Sequence, residues 1–87
     1  MKTIRQLIQD GNTDEAIQQL DLLISENPNS DEAYFLRGKA YQKKGNMRLA
    51  LNNYLKAIEL NPDSPAQQAH DMLIKILNFY NKDMYNH

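Results

Sequence analysis

The chain has 87 residues, room for one domain, and its 41% hydrophobic and 24% charged residues suit a packed globular protein rather than a disordered segment. Ten basic against eleven acidic residues leave a formal net charge of −1, which excludes nucleic acid as the main partner, because a phosphate backbone demands a strongly basic surface. With no cysteine, disulfides, thiol catalysis and thiolate-bound metals are excluded too. Met1-Lys2-Thr3-Ile4-Arg5-Gln6 is polar where a signal peptide needs an unbroken apolar run, and no apolar run approaches the ~20 residues of a membrane span. A cytoplasmic protein is the expectation. A single core of this size is only marginally stabilising, so an architecture that shares burial between units, or between subunits, is favoured.

The punctuation predicts five helices. The first covers 2–10 and stops at Gly11-Asn12, where glycine tolerates a left-handed backbone and asparagine can cap the next helix. The second, 13–26, opens on Asp14-Glu15 and spaces Ile17, Leu20 and Ile24 three and four residues apart. Asn27-Pro28 ends it, since a residue before proline is pushed out of the helical region. The third, 31–44, opens on Asp31-Glu32 and stops at Gly45-Asn46. The fourth, 47–60, carries Ala50, Leu51, Tyr54, Ala57 and Ile58 at helical spacing and stops at Asn61-Pro62. The fifth, 65–82, begins at Ser64-Pro65-Ala66-Gln67: a serine cap, a first-turn proline and a glutamine placed to reach back as in a capping box. Short connections make successive helices antiparallel neighbours.

A constant shift of 34 residues lays Gly11-Asn12 on Gly45-Asn46, Ala16 on Ala50, Ile24 on Ile58, Asn27-Pro28 on Asn61-Pro62 and Ser30 on Ser64. One offset that matches turns and apolar positions together marks two copies of a helix–turn–helix unit.

Tyr34, Gly38, Tyr41, Ala50, Tyr54, Ala57 and Pro62 make the second copy resemble a tetratricopeptide repeat, whose period is 34 residues. Tyrosine replaces the usual tryptophan at 34 and phenylalanine at 54. Gly38, Ala50 and Ala57 are small enough for paired helices to approach closely, and the tyrosines fill the space around them. Arg37 departs from the usual leucine; its stem can cover the site while its head reaches water. The first copy keeps Gly11, Ala16, Leu20 and Pro28 but has Ile4 for glycine and Leu23 for alanine. The fifth helix has no repeat signature and resembles the extra helix that often closes such arrays. The resemblance implies one all-α domain over 1–87, with repeat one at 1–30, repeat two at 31–64 and a C-terminal helix at 65–82. Its five helices form antiparallel hairpins stacked in a right-handed superhelix.

In this family the first helix of each repeat lines a concave face where peptides bind. The resemblance therefore turns Glu32, Phe35, Leu36, Lys39, Gln42 and Lys43 toward a groove, with Arg5 and Ile8 on the equivalent side of helix one and His70 and Leu73 from helix five. Such a lining suits an extended or helical segment of another protein with acidic character. The alternative is that Phe35 and Leu36 pack on the fifth helix and the lysines are merely solvated. The family's lysine/asparagine/arginine clamp for a chaperone tail is not carried: Leu36 replaces the asparagine, and Ala66 and His70 stand where lysine and arginine belong.

A catalytic set is lacking. His70-Asp71 are adjacent in sequence, so they are expected not to face each other on a helix. His87 is terminal, and Glu32 with His70 is the one acid–base pair to nominate. No metal or cofactor site is expected, and the paired carboxylates Asp14-Glu15 and Asp31-Glu32 favour helix N-termini. On the fifth helix Ala66, Ala69, Met72, Leu73, Ile76, Leu77, Phe79 and Tyr80 span an arc of roughly 160°, wide for contact with one repeat, and Ile74 lies outside it. Met72, Ile74, Leu77 and Phe79 are therefore candidates for self-association as a homo-oligomer. The expected function is a protein-binding adaptor, with a self-associating structural module as the alternative.

Overall fold

The computed structural model describes the backbone of residues 1–85 and the side chains of residues 1–80. Within them the chain folds into five helices and no strand: α1 (Ile4–Gln9), α2 (Thr13–Glu26), α3 (Asp31–Lys44), α4 (Met47–Leu60) and α5 (Ala66–Tyr85). The three central helices have the predicted limits. The first is shorter than expected because Thr3 caps it: its hydroxyl accepts from the Gln6 amide at 3.1 Å while the Gln6 side chain accepts from the Thr3 amide at 2.9 Å. That reciprocal pair satisfies two amide groups that a helix start leaves open.

The turns follow the residues that form them, with two corrections. Gly11 and Gly45 adopt φ of +86° and +95°, the left-handed backbone that favours glycine. Asn46 caps α4 by accepting from the Leu49 amide at 3.2 Å, whereas Asn12 makes no side-chain cap bond to α2. Ser30 caps α3 through the Ala33 amide at 3.2 Å. Ser64 accepts from the Ala66 amide at 3.1 Å, but Gln67 does not reach back; its side chain donates forward to Asp71 at 3.1 Å.

Each helix packs chiefly on its sequence neighbour, and α3 with α4 make the closest pair. A Cβ on Gly38 would stand 2.5 Å from Tyr54 Cε1 and 3.2 Å from the Ala50 carbonyl oxygen. Only glycine leaves room for the two helices to meet at this distance. Tyr54 is fully buried, tilts against Phe35 with ring centroids 6.1 Å apart, and donates its hydroxyl to Gln42 Oε1 at 2.6 Å. Around it the main core gathers Leu20, Ala33, Leu36, Ala50, Ala57, Ala66 and Leu73, while Leu7, Ala16, Ile17 and Ala40 form a smaller cluster between α1, α2 and α3.

Arg37 does more than cover its site. Its Nε donates to the buried Asn53 at 2.7 Å, while Nη1 reaches the surface and pairs with the exposed Asp21 at 2.8 Å. The guanidinium also lies 5.2 Å from the Tyr34 ring centroid. A residue that is usually leucine here ties α2, α3 and α4 together through polar bonds.

Candidate binding groove

The Cα trace spans 47 × 28 × 17 Å, so in its thin direction the helices form little more than a double layer and each side of the layer stays open. On one side, α1, α3 and α5 border a trough of about 500 Å³ lined by Ile8, Gln9, Lys39, Gln42, Lys43, Met47, Leu73 and Ile76. Pockets that hold ligands usually lie between ~300 and ~1,000 Å³. A second hollow of about 440 Å³, lined by Arg5, Ile8, Gln9 and Lys39, shares three residues with the first and extends it. A third, about 270 Å³, continues past Arg5 to Asp31, Glu32, Phe35, Ser64 and Pro65.

The floor and rim differ in chemistry. Ile8, Met47, Leu73 and Ile76 supply apolar surface. At one end Arg5 and Glu32 neutralise each other at 3.3 Å. Lys39 holds its ammonium 5.7 Å from the Phe35 ring centroid, and among the described residues neither Lys39 nor Lys43 meets a carboxylate.

Of the residues picked out from sequence, Ile8, Lys39, Gln42, Lys43 and Leu73 share the main trough, and Arg5 and Glu32 frame its far end. Phe35 and Leu36 are each only 8% exposed and belong to the core. Phe35 touches the third hollow alone, while Leu36 faces a different cavity of about 320 Å³ with Ile4, Leu20, Leu23 and Ala33. Sequence reasoning missed Gln9, Met47 and Ile76. Ile76 and Gln9 were within reach of it, lying three and four residues beyond Leu73 and Arg5 on the same faces. Met47 was hidden by the assumption that only the first helix of each repeat contributes.

His70 lies outside the trough, half-buried, and its Nδ1 sits 3.2 Å from Asp71 Oδ1. The expectation that adjacent residues would not meet is thus corrected: the two side chains bend sideways toward each other. Hydrogen bonds from His70 and then Gln67 hold the Asp71 carboxyl below the usual carboxylate range. Glu32 is engaged with Arg5 and His70 with Asp71, so the nominated acid–base pair is divided between separate partners. His87 lies outside the described residues. Among the described residues, no group of three or more metal-ligating side chains is assembled, and no helix is long and apolar enough to cross a membrane.

On α5, Met72 and Phe79 are 64% and 69% exposed, Ile74 is half-buried, and Leu77 packs inward on the main core. Tyr80, 77% exposed, meets Phe79 edge-on with centroids 5.3 Å apart.

Known proteins share this architecture. The solution NMR structure of the Bacteroides fragilis protein BF1650 superposes with a TM-score of 0.86 at 56% identity, over 95% of this chain and 85% of that one. An uncharacterized protein of Treponema pallidum (strain Nichols) is 36% identical over 85 residues, 90% of this chain and 16% of that protein. Cellulose synthase operon protein C of Escherichia coli (strain K12) is 30% identical over 73 residues, 84% of this chain and 6% of its own length. The chain thus spans a small part of these two relatives. Residues 31–64 match the family model described as Tetratricopeptide repeat and residues 5–45 the one described as TPR repeat. Two family models that between them reach from α1 to α4, on a chain whose helices pair through Gly38 and Ala50, place it in the tetratricopeptide repeat family, a family of protein-interaction repeats.

Proposed function

We propose that this chain is a non-catalytic adaptor, acting in the cytoplasm, that holds a segment of another polypeptide in the trough bordered by α1, α3 and α5. One observation carries the reading: a hollow of about 500 Å³ with an apolar floor and a rim of lysines that no carboxylate among the described residues neutralises. An apolar floor gains by covering, at about 25 cal/mol per Å² removed from water, and the rim gives direction to what covers it. The test is affinity capture with the wild type beside Ile76→Glu, which places a charge on the floor at a side chain already 40% exposed and so leaves the core intact. Phe35→Glu is unsuitable, because a buried glutamate there would unfold the protein. Partners held by the wild type and lost with Ile76→Glu support the groove; an unchanged set of partners removes it.

The free face of α5 favours a second reading, self-association. Met72, Phe79 and Tyr80 are exposed on α5 and can meet the same face of a second copy, α5 against α5, in a two-fold contact. At about 150–250 Å² per aromatic side chain, Phe79 and Tyr80 would supply much of the ~800 Å² per partner of a standard interface. Light scattering at high micromolar concentration tests this: a dimer supports it and a monomer removes it. The two readings share Ile76, which lines the trough and lies between Met72 and Phe79 on one face of α5, so the same part of α5 serves both.

A further inference from the structure

We propose a docking site apart from the trough: the hollow of about 320 Å³ between α1, α2 and α3 takes one helical turn of another polypeptide, of the form Asp-x-x-Tyr. It stands independently of the groove reading, because the second hairpin of the chain shows both the shape and the chemistry of that turn.

α1 and α3 hold equivalent places in the two hairpins, but α1 begins at Ile4, the counterpart of Gly38, whereas α3 begins at Asp31. Residues 31–37 thus have no helical counterpart ahead of α1. Thr3 is extended, and neither Met1, Lys2 nor Thr3 lines the hollow. Successive helices run antiparallel, so the line of α1 continued past its start meets the end of α2 and the start of α3. The hollow lies there, walled by Ile4, Leu20, Leu23, Ala33 and Leu36, with Asn27 at its rim. In the second hairpin the start of α3 covers the end of α4, and Ala57 is fully buried. In the first, Leu23 at the same register is 44% exposed.

The polar rim names the first residue of the occupant. Asn27 and Asn61 end their helices in one backbone conformation, φ −137° and ψ 85° against φ −148° and ψ 103°. Each accepts through Oδ1 from the amide two residues on, at 3.3 and 3.0 Å. They differ at the side-chain NH₂. That of Asn61 donates to Asp31 Oδ2 at 3.1 Å, while that of Asn27, on an exposed side chain, meets no acceptor among the described residues. The turn that satisfies Asn61 also carries Tyr34, three residues after Asp31 and so on the same face, packed on the main core. The hollow has room for that ring, since a cavity of about 150 Å³ already holds a benzene molecule. Apolar walls and one amide donor at its rim therefore ask for an aromatic side chain and, one turn before it, an oxygen that accepts. Aspartate in that first position also suits the positive end of the incoming helix.

The probe is a fluorescein-labelled peptide with the sequence of residues 31–37 followed by about three helical turns of alanine, glutamate and lysine, long enough to hold a helix. Its anisotropy is followed against the wild type, Leu23→Glu, Asn27→Asp and Ile76→Glu, with the helix content of each protein checked by circular dichroism. The wild type and Ile76→Glu should bind it alike. Leu23→Glu, at a side chain exposed enough to leave the fold intact, should weaken it on the order of tenfold or more. Alanine in place of the peptide's tyrosine should weaken it by a similar factor. Asn27→Asp keeps the oxygen that forms the corner and loses the donor, so it should weaken the probe on the order of tenfold and restore binding when the peptide opens with asparagine instead. The proposal is overturned if the wild type does not bind the probe, or if the peptide lacking tyrosine binds as tightly. It is overturned equally if Asn27→Asp changes nothing, or if binding survives Leu23→Glu and is lost with Ile76→Glu, which would seat the peptide in the trough.

Discussion

The two hairpins of this chain carry the same turns at the same spacing, yet they close differently. In the second, Gly38 lets the Tyr54 ring lie against the α3 backbone, and Ala57 is fully buried behind it. In the first, the equivalent places hold Ile4 and Leu23. Leu23 is 44% exposed, and a cavity of about 320 Å³ remains where Ile4, Leu20, Leu23, Ala33 and Leu36 meet. Turn chemistry therefore sets where the helices lie along the chain, and two small residues set how near they come. The tighter hairpin is also the one that aims Lys39, Gln42 and Lys43 into the trough.

The contrast is broken most directly by adding one methyl group. Gly38→Ala forces a Cβ to within 2.5 Å of a ring carbon that has nowhere to go, and should cost about 3 kcal/mol in chemical denaturation. Ile4→Ala, at the matching site of the looser hairpin, should cost about 1 kcal/mol, because its side chain is only partly buried beside existing space. Equal costs would mean that the two hairpins are packed alike.

A pH measurement sharpens the account of Tyr54. Burial pushes its hydroxyl up from 10.0 to about 12, so the folded protein keeps a proton that the unfolded chain releases. Stability from this group is complete below pH 10 and is lost as pH rises through about 12, by about 2–3 kcal/mol. Tyr54→Phe should start less stable at neutral pH, having lost the bond to Gln42, and then fall less steeply across that range. Lys44, whose ammonium is raised by the hydrogen bond and charge of Asp14, loses stability with rising pH in both proteins. It leaves the difference between them unchanged.

Arg37→Ala should cost about 2 kcal/mol, since Asp21 and the buried Asn53 lose a charged donor. A loss near zero would show that the guanidinium bridge adds nothing beyond the packing of its stem. Smallest is the pair of caps. Asn46→Ala should cost about 1 kcal/mol and Asn12→Ala close to nothing, because only Asn46 bonds an open helix amide.

Features set by neighbours along the chain were legible in the sequence. Gly11, Gly45, Pro28 and Pro62 act within a few residues of themselves, and they placed the limits of α2, α3 and α4. The contact of Gly38 with Ala50 was legible too, because small residues at repeat spacing have one evident use. Arg37 was not, since its partners Asp21 and Asn53 each lie 16 residues away on other helices, and nothing local selects them. In the groove, the lysines and Ile8 could be read from helix faces. Phe35 and Leu36 stayed open between two readings, because an apolar residue beside a predicted groove looks the same whether it lines the groove or turns under it; their 8% exposure, in one core with Ala66 and Leu73 of α5, decides it.

The central claim is that a partner is held between α1, α3 and α5. Chemical-shift mapping on isotope-labelled protein, titrated with a segment of a partner that affinity capture identifies, tests it most directly. The account predicts that the largest shifts fall on Ile8, Lys39, Gln42, Lys43, Leu73 and Ile76, with little change at Leu22 and Leu55, which are exposed but line none of these hollows. Shifts centred on Leu22 and Leu55 with the trough residues unmoved would contradict it.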